Sequence, residues 1–401
     1  MRIAFIRQRY NPFGGGERFV ERATRALARQ GAAVTVISRS WSEEAASEVR
    51  LVRCDPYYLG RLLRDLTFAR AACRHVREAG FDLVQSHERL SCCDLYRAGD
   101  GVHRQWLRHR GRMQSSLQRL LVRVNPYHRY LMAQEARLFR SDDVRAIICN
   151  SQMVRNDVLR YFPEAVSKLH VIYNGVDLQH FHPSIRTEHR ASTRAQLGIR
   201  EDEKVFLFVG SGFARKGVDR LLRAFANLGR AGTRLVIVGA DRKLAQSRRC
   251  AERLGVAPLV TFTGGVADVR PYYAGADIFV LPTLYDPFPN AAVEALASGL
   301  PVVTTFQSGA AELIRPGENG AVCDALDIPA LTRSLTEVAQ IDPAAAREHA
   351  CASVSSLGMD AMAEKLLRLY SELLASSAGG TQARAENRSD DARVRSRTHR
   401  A

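Results

Sequence analysis

The chain has 401 residues, 46% of them hydrophobic and 25% charged, with a net charge of +16. That length suits two domains, and the composition is that of a globular protein rather than a fibrous or disordered one. No apolar run approaches the ~18 to 20 residues of a membrane span, and the opening residues lack a signal-peptide pattern, so a cytoplasmic location is expected.

IAFI (3–6) reads as a buried strand, followed by a Gly-rich loop, NPFGGG (11–16), and an amphipathic helix (17–31) ending at Gly31. AVTVIS (33–38), FDLVQSH (81–87) and RAIICNS (145–151) are further strands. Such strand–helix alternation implies a parallel sheet covered on both faces. Ligands of these sheets gather at the carboxyl ends of strands, where NPFGGG would sit. Residues 103–140 hold nine Arg, three His and a single acid, Glu135, with Trp106, Leu107, Leu117, Leu120, Leu121 and Tyr130 interleaved. They read as a helical pair whose basic face is either simply solvated or docks on an anionic lipid surface. Residues 178–200 are polar, His-rich and weakly periodic, and read as a link. Beyond it KVFLFVGSG (204–212), RLVIVGA (234–240), LVTFTGG (259–265), ADIFVLP (276–282) and PVVTT (301–305) form a second set of strands with helices between them. The expected fold is therefore α/β, with two doubly wound Rossmann-like domains. They span 1–185 and 186–375, the last helix being free to pack back on the first. Residues 376–401 are polar and Arg-rich and are expected to form a disordered basic tail.

The eight cysteines are scattered, with no CxxC or Cys/His spacing, so buried reduced thiols are expected and no metal site is implied. The charge favours anionic partners: nucleic acid, acidic lipid headgroups or phosphorylated substrates. A nucleic-acid-binding protein should carry an RNP, helix-turn-helix or zinc pattern, and the sequence shows none of these.

The stretch LPTLYDPFPNAAVEALASGLPVV (281–303) reads as a strand end, a Pro-rich loop, a helix start and a second strand. Its helix N-terminus offers unpaired N–H groups and positive dipole to an anion. Asp286 and Glu294 flank the loop, and Glu294, two turns into the helix, is suited to accept hydrogen bonds from sugar or ribose hydroxyls. GSGFARKGVDR (210–220) places Arg215 and Lys216 between a strand and a helix, which suits clamping a diphosphate. FTGGVADV (262–269) offers backbone to a nucleobase edge, or is a plain Gly turn. Asp100 and His103, in RAGDGVHRQW (97–106), fall on a loop after a short strand; Asp100 is a contact residue or a turn former. Glu17 and Arg18 stand in a similar position after the Gly loop.

DPFPNAAVEALASGLPVV resembles the E-x7-E segment of the family-4 retaining glycosyltransferases, with Asp286 in place of the first Glu. GSGFARKGVDR, NPFGGGER and VIYNGVDLQHFHP (171–183) are similar to motifs of the same family in the same order. The resemblance covers nearly all of residues 1–375, and within the family the chain is most similar to the lipopolysaccharide core heptose glucosyltransferases. It implies the GT-B arrangement, two such domains facing a central cleft, with an acceptor-binding first domain and a nucleotide-sugar-binding second one. It also implies a retaining transfer from a UDP-sugar, UDP-glucose or a relative, to a lipopolysaccharide core acceptor at the cytoplasmic face of the inner membrane. Carried over by position, Arg215 and Lys216 neutralise the leaving diphosphate and Glu294 holds the ribose. Asp286 faces the donor sugar, and the backbone around Pro289, Asn290 and Ala291 binds phosphate or sugar. Gly15 and Gly16 let the first-domain backbone approach the diphosphate, and Asp100 and His103 contact donor or acceptor. Asp286 is one methylene shorter than Glu, which leaves the donor sugar open. No D-x-D sequence is present, so neither a metal nor another cofactor is implied. The expected partners are a nucleotide sugar, a lipopolysaccharide core or similar phosphorylated lipid-linked acceptor, and an anionic inner-membrane surface, with no nucleic acid. The alternatives are another acceptor, such as a polysaccharide or lipid-linked glycan, a sugar-nucleotide epimerase, and a nucleic-acid-binding protein.

Overall fold

The computed structural model describes residues 1–9, 27, 31–41, 49–229 and 231–376. The NPFGGG loop with Gly15 and Gly16, the helix start at Glu17 and Arg18, and the tail beyond residue 376 lie outside the described residues.

Two parallel sheets organise the chain. The first contains β1 (Arg2–Ile6), β2 (Ala33–Ser38), β3 (Arg50–Arg53), β4 (Leu83–Ser86), β5 (Leu95–Arg97), β6 (Ala146–Cys149) and β7 (Leu169–Val171), in the order β3-β2-β1-β4-β5-β6-β7. The second contains β8 (Lys204–Val209), β9 (Thr233–Val238), β10 (Val260–Gly264), β11 (Ile278–Val280), β12 (Val302–Thr305) and β13 (Gly320–Cys323), in the order β10-β9-β8-β11-β12-β13. In each, the order reverses beside the first strand, which is the doubly wound pattern expected from the alternation of elements. Ile3 to Ile6 and Phe206 to Phe208 are completely buried. That burial on both faces is why β1 and β8 read as unbroken apolar runs.

Packing divides the chain at other points than the sheets do. One unit holds Met1–Tyr96, Ser141–Ala146 and the residues from Ala363 onward; the other holds Arg97–Arg140 and Ile147–Met362. In the first unit the final helix is tied down by Tyr370, whose hydroxyl donates to Gln85, and by Arg145, which donates to the carbonyl of Leu373.

Three expectations are corrected. Cys73 and Cys92 form a disulfide, their Cα atoms 5.6 Å apart. Helix α1 (Gly60–Ala79) carries Cys73 back against the turn that follows β4, so residues 19 apart in sequence meet. Residues 103–140 form three helices rather than two: α2 (His103–Gly111), α3 (Ser116–Val124) and α4 (Pro126–Arg140). A capping box between Ser115 and Gln118 starts α3 afresh. Finally, the supposed link contains a helix, Ile185–Gln196. Its Arg186, Arg190 and Arg194, one turn apart on one face, converge on Asp277 at 3.5, 2.9 and 2.6 Å.

Candidate active site

The site is built where the strand order of the second sheet reverses, between β8 and β11. The loop after β8 turns through a short helix, α6 (Phe213–Lys216), while α5 (Gln152–Tyr161) lies between β6 and β7. Asp241 caps this turn: its carboxylate accepts the N–H groups of Gly212 and Phe213 at 2.7 and 2.9 Å. Partial burial works against that charge, but these bonds and that of Lys243 N–H keep the carboxyl below its usual range. Gly217 then closes the turn at a φ of +88°, and a Cβ there would come within 2.1 Å of the Pro282 carbonyl oxygen. Only glycine allows that approach. The loop after β11 is stitched to the same turn, because Leu284 N–H donates to the Arg215 carbonyl at 2.8 Å.

Three of the expected residues meet here. Arg215 Nη1 donates to the Tyr285 carbonyl at 2.8 Å and lies 3.1 Å from Asp286 Oδ2. Lys216 Nζ is 3.7 Å from the same oxygen. Asp286 is fixed through its backbone, its N–H donating to Gln307 O and its carbonyl accepting from Gly309 N–H, at 3.0 and 2.9 Å. Burial lowers the pKa of Lys216, with Arg215 acting in the same direction and Asp286 and Glu294 opposing it. A cation stripped of water and crowded by a second cation gains from an arriving anion, which is what a diphosphate would supply.

Glu294 lies on α8 (Asn290–Ala297), which follows β11, whereas α7 (Val218–Leu228) follows β8. Pro289 keeps an extended backbone and delays the helix to Asn290, so Glu294 is just over one turn in rather than two. It is buried, and Tyr273 Oη lies 3.1 Å from Glu294 Oε2 and from the Ala291 carbonyl. At the helix start, Asn174 Nδ2 donates to Asn290 Oδ1 at 2.8 Å. The FTGG turn ends β10, at the sheet edge and two strands from the reversal, while Gly239 N–H donates to Gly264 O at 2.8 Å.

Sequence reasoning missed Tyr285. It is buried, its Oη donates to Asp157 Oδ2 at 3.0 Å and accepts from Val102 N–H at 3.1 Å. Its ring stacks on His109, with centroids 5.6 Å apart. Burial pushes the Asp157 carboxyl up to about 6 despite the Tyr285 hydroxyl. Burial, with Arg112 and Arg108 nearby, pushes His109 down to about 4. Through Val102 the network brings the Asp100 loop beside the residue that precedes Asp286. Asp100 itself is exposed in a turn closed by a bond from Gly101 N–H to Ala98 O. His103 is not on the loop: it opens α2, because Glu135 accepts its N–H at 2.5 Å and so caps the helix. Its ring is buried, with Nε2 3.0 Å from His128 Nδ1.

Residues 13–180 match the family described as Glycosyltransferase Family 4, and residues 189–350 match Glycosyl transferases group 1. The structure of WaaG, a glycosyltransferase involved in lipopolysaccharide biosynthesis, aligns over 91% of this chain and 98% of its own, with a TM-score of 0.78 and 25% identity. The chain is a GT-B glycosyltransferase. In sequence, the glycosyltransferase is 27% identical to the lipopolysaccharide glucosyltransferase WaaG of Escherichia coli K12 over 325 residues, 80% of this chain and 85% of WaaG. It is 33% identical over 148 residues to LpsE of Rhizobium meliloti, a lipopolysaccharide core biosynthesis glycosyltransferase, covering 37% of this chain and 43% of LpsE. The enzyme is thus a hexosyltransferase related to those of the lipopolysaccharide core.

Proposed function

We propose that the enzyme moves a hexosyl group, with retention, from a nucleoside-diphosphate sugar to a lipopolysaccharide core or similar phosphorylated lipid-linked acceptor. UDP-glucose or a related UDP-sugar is the donor in this reading. The observation that carries it is the gathering of Arg215 and the desolvated Lys216 on Asp286, four residues before the start of α8. The bond from the sugar C1 to the phosphate oxygen breaks while the acceptor oxygen bonds to C1 on the same face. The leaving phosphate oxygen takes the acceptor's proton. Arg215 and Lys216 carry the charge that develops on the diphosphate, so the reading assigns no step to a metal or other cofactor. Such stabilisation is worth ~3 to 4 kcal/mol per well-placed group. In this reading Glu294 holds the ribose, Asp286 meets the sugar, and backbone at Pro289, Asn290 and Ala291 frames the phosphates. Asp100, which is exposed, contacts substrate in the same reading, whereas His103 is occupied by His128 and Glu135 in the helical packing.

Helix α3 supports attachment to an anionic inner-membrane surface on the cytoplasmic side. None of its residues is buried. Leu117, Leu120, Leu121 and Val124 line one face and are 66%, 55%, 59% and 57% exposed, with Arg119 and Arg123 on the opposite side. An apolar stripe between basic residues is the pattern of a helix lying in a lipid interface. Among the described residues no helix is long and apolar enough to cross a membrane.

The test is transfer from UDP-glucose to a purified lipopolysaccharide core acceptor by the wild type and by Lys216→Ala and Glu294→Ala. Each substitution is expected to lower kcat/KM at least ~100-fold with little change in Tm. Wild-type-like turnover in either variant sinks the assignment.

A further inference from the structure

Behind the start of α8, three side chains form a line of hydrogen bonds whose direction is set at one end. Arg97, buried at the carboxyl end of β5, donates through Nη2 to Asn174 Oδ1. A guanidinium has donors only. The buried Asn174 amide must therefore turn its oxygen toward Arg97 and its nitrogen away. That nitrogen donates to Asn290 Oδ1 at 2.8 Å. Asn290 thus has its oxygen engaged, and among the described residues no acceptor takes its own amide hydrogens.

We propose that Arg97 and Asn174 are positioning residues that hold Asn290 Nδ2 as a hydrogen-bond donor to an oxygen of the bound sugar-diphosphate. The inference rests on the nucleotide-sugar reading above. A side-chain amide has two orientations of nearly equal shape, one presenting N–H donors and the other a lone-pair oxygen. Phosphate oxygens accept only, and an amide oxygen turned toward them would repel. The line from Arg97 removes that orientation before the ligand arrives, so its ordering is not charged against binding. Asn290 lies four residues from Asp286 and one turn from Glu294, between the groups that meet the two ends of the donor.

Two isosteric variants reverse the polarity. Asn174→Asp keeps its contact with Arg97 but has no N–H to give, so Asn290 must turn its amide nitrogen inward and its oxygen toward the ligand. Asn290→Asp puts an oxygen at the same point directly. The full-length wild type, both variants and Lys216→Ala are titrated calorimetrically with UDP and with UDP-glucose, and the Tm of each is measured without ligand. Asn174→Asp and Asn290→Asp are each expected to bind about ten- to a hundredfold more weakly. The Tm of Asn174→Asp should be no lower than that of the wild type, because Arg97 gains a charged partner. Weakening with both probes places the accepted oxygen on the diphosphate; weakening with UDP-glucose only places it on the sugar. Either result supports the relay. Unchanged affinity in Asn174→Asp or Asn290→Asp, while Lys216→Ala is impaired, overturns the relay and leaves the donor reading standing. A fall in affinity accompanied by a lower Tm in Asn174→Asp overturns it in favour of a structural role. No binding by the wild type, or full binding by Lys216→Ala, overturns the donor reading and the relay together.

Discussion

Asp157 shows how much one side chain can weigh on this fold. Burial lifts its carboxyl from an ordinary 3.8 to about 6, against the hydrogen bond from Tyr285. Between those two pH values the folded chain binds more protons than the unfolded one, so stability falls as pH rises from ~4 to ~6. At 1.36 kcal/mol per pH unit the cost is about 3 kcal/mol and persists at neutral pH. Asp157→Asn removes the charge and keeps an oxygen for Tyr285. It should be ~1 to 3 kcal/mol more stable than wild type in urea at pH 7 and equal to it near pH 4; no gain at pH 7 contradicts the account. Neither partner was legible in the sequence, since residues 157 and 285 are joined only by the fold. Asp286, Arg215 and Lys216 were legible because each lies at a strand-to-helix turn, and Glu294 because it follows such a turn within the same short segment. His103 misled because the residue that makes it helical, Glu135, comes from α4.

At the scale of elements, the inner strands and the edge strand β10 were readable, whereas three other edges were not. β3, β7 and β13 are all outermost strands, and each is only three or four residues long. β3 and β7 are at best half-buried and carry charged or His residues, and β13 opens on two small residues, Gly320 and Ala321, so none gives a run of large apolar side chains. The helix Ile185–Gln196 was hidden for another reason: its packing face presents arginines to Asp277 rather than apolar residues. Helix α3 presents the opposite case, an apolar face with nothing from the described residues burying it. Replacing Leu120 and Leu121 together by Ser removes apolar area worth roughly 1.5 to 3 kcal/mol per leucine when fully buried. Flotation with anionic vesicles should then show at least a tenfold lower partition than wild type, with unchanged Tm. Wild-type binding should also weaken as salt screens Arg119 and Arg123. Salt-insensitive binding, or none, removes the docking role.

Over the whole molecule, both doubly wound sheets followed from the alternation of apolar runs, whereas the Cys73–Cys92 disulfide did not, because close spacing was the only signal sought. Closing a loop of that size restricts the unfolded chain by an amount worth about 3 kcal/mol. The double variant Cys73→Ser, Cys92→Ser should therefore unfold at lower urea by ~2 to 4 kcal/mol, and dithiothreitol should lower the wild type alike; a wild type indifferent to reductant argues against the bond. The fit of Gly217 against Pro282 has a consequence for anyone altering donor preference. The turn 210–217 and the stretch 281–294 are far apart in the gene yet moulded to each other, through the Pro282 carbonyl against Gly217 and through Leu284 on Arg215. A chimera that takes one stretch from a relative inherits half of a matched joint. The two must be transplanted together, and natural variation in them should be inherited as a single cassette.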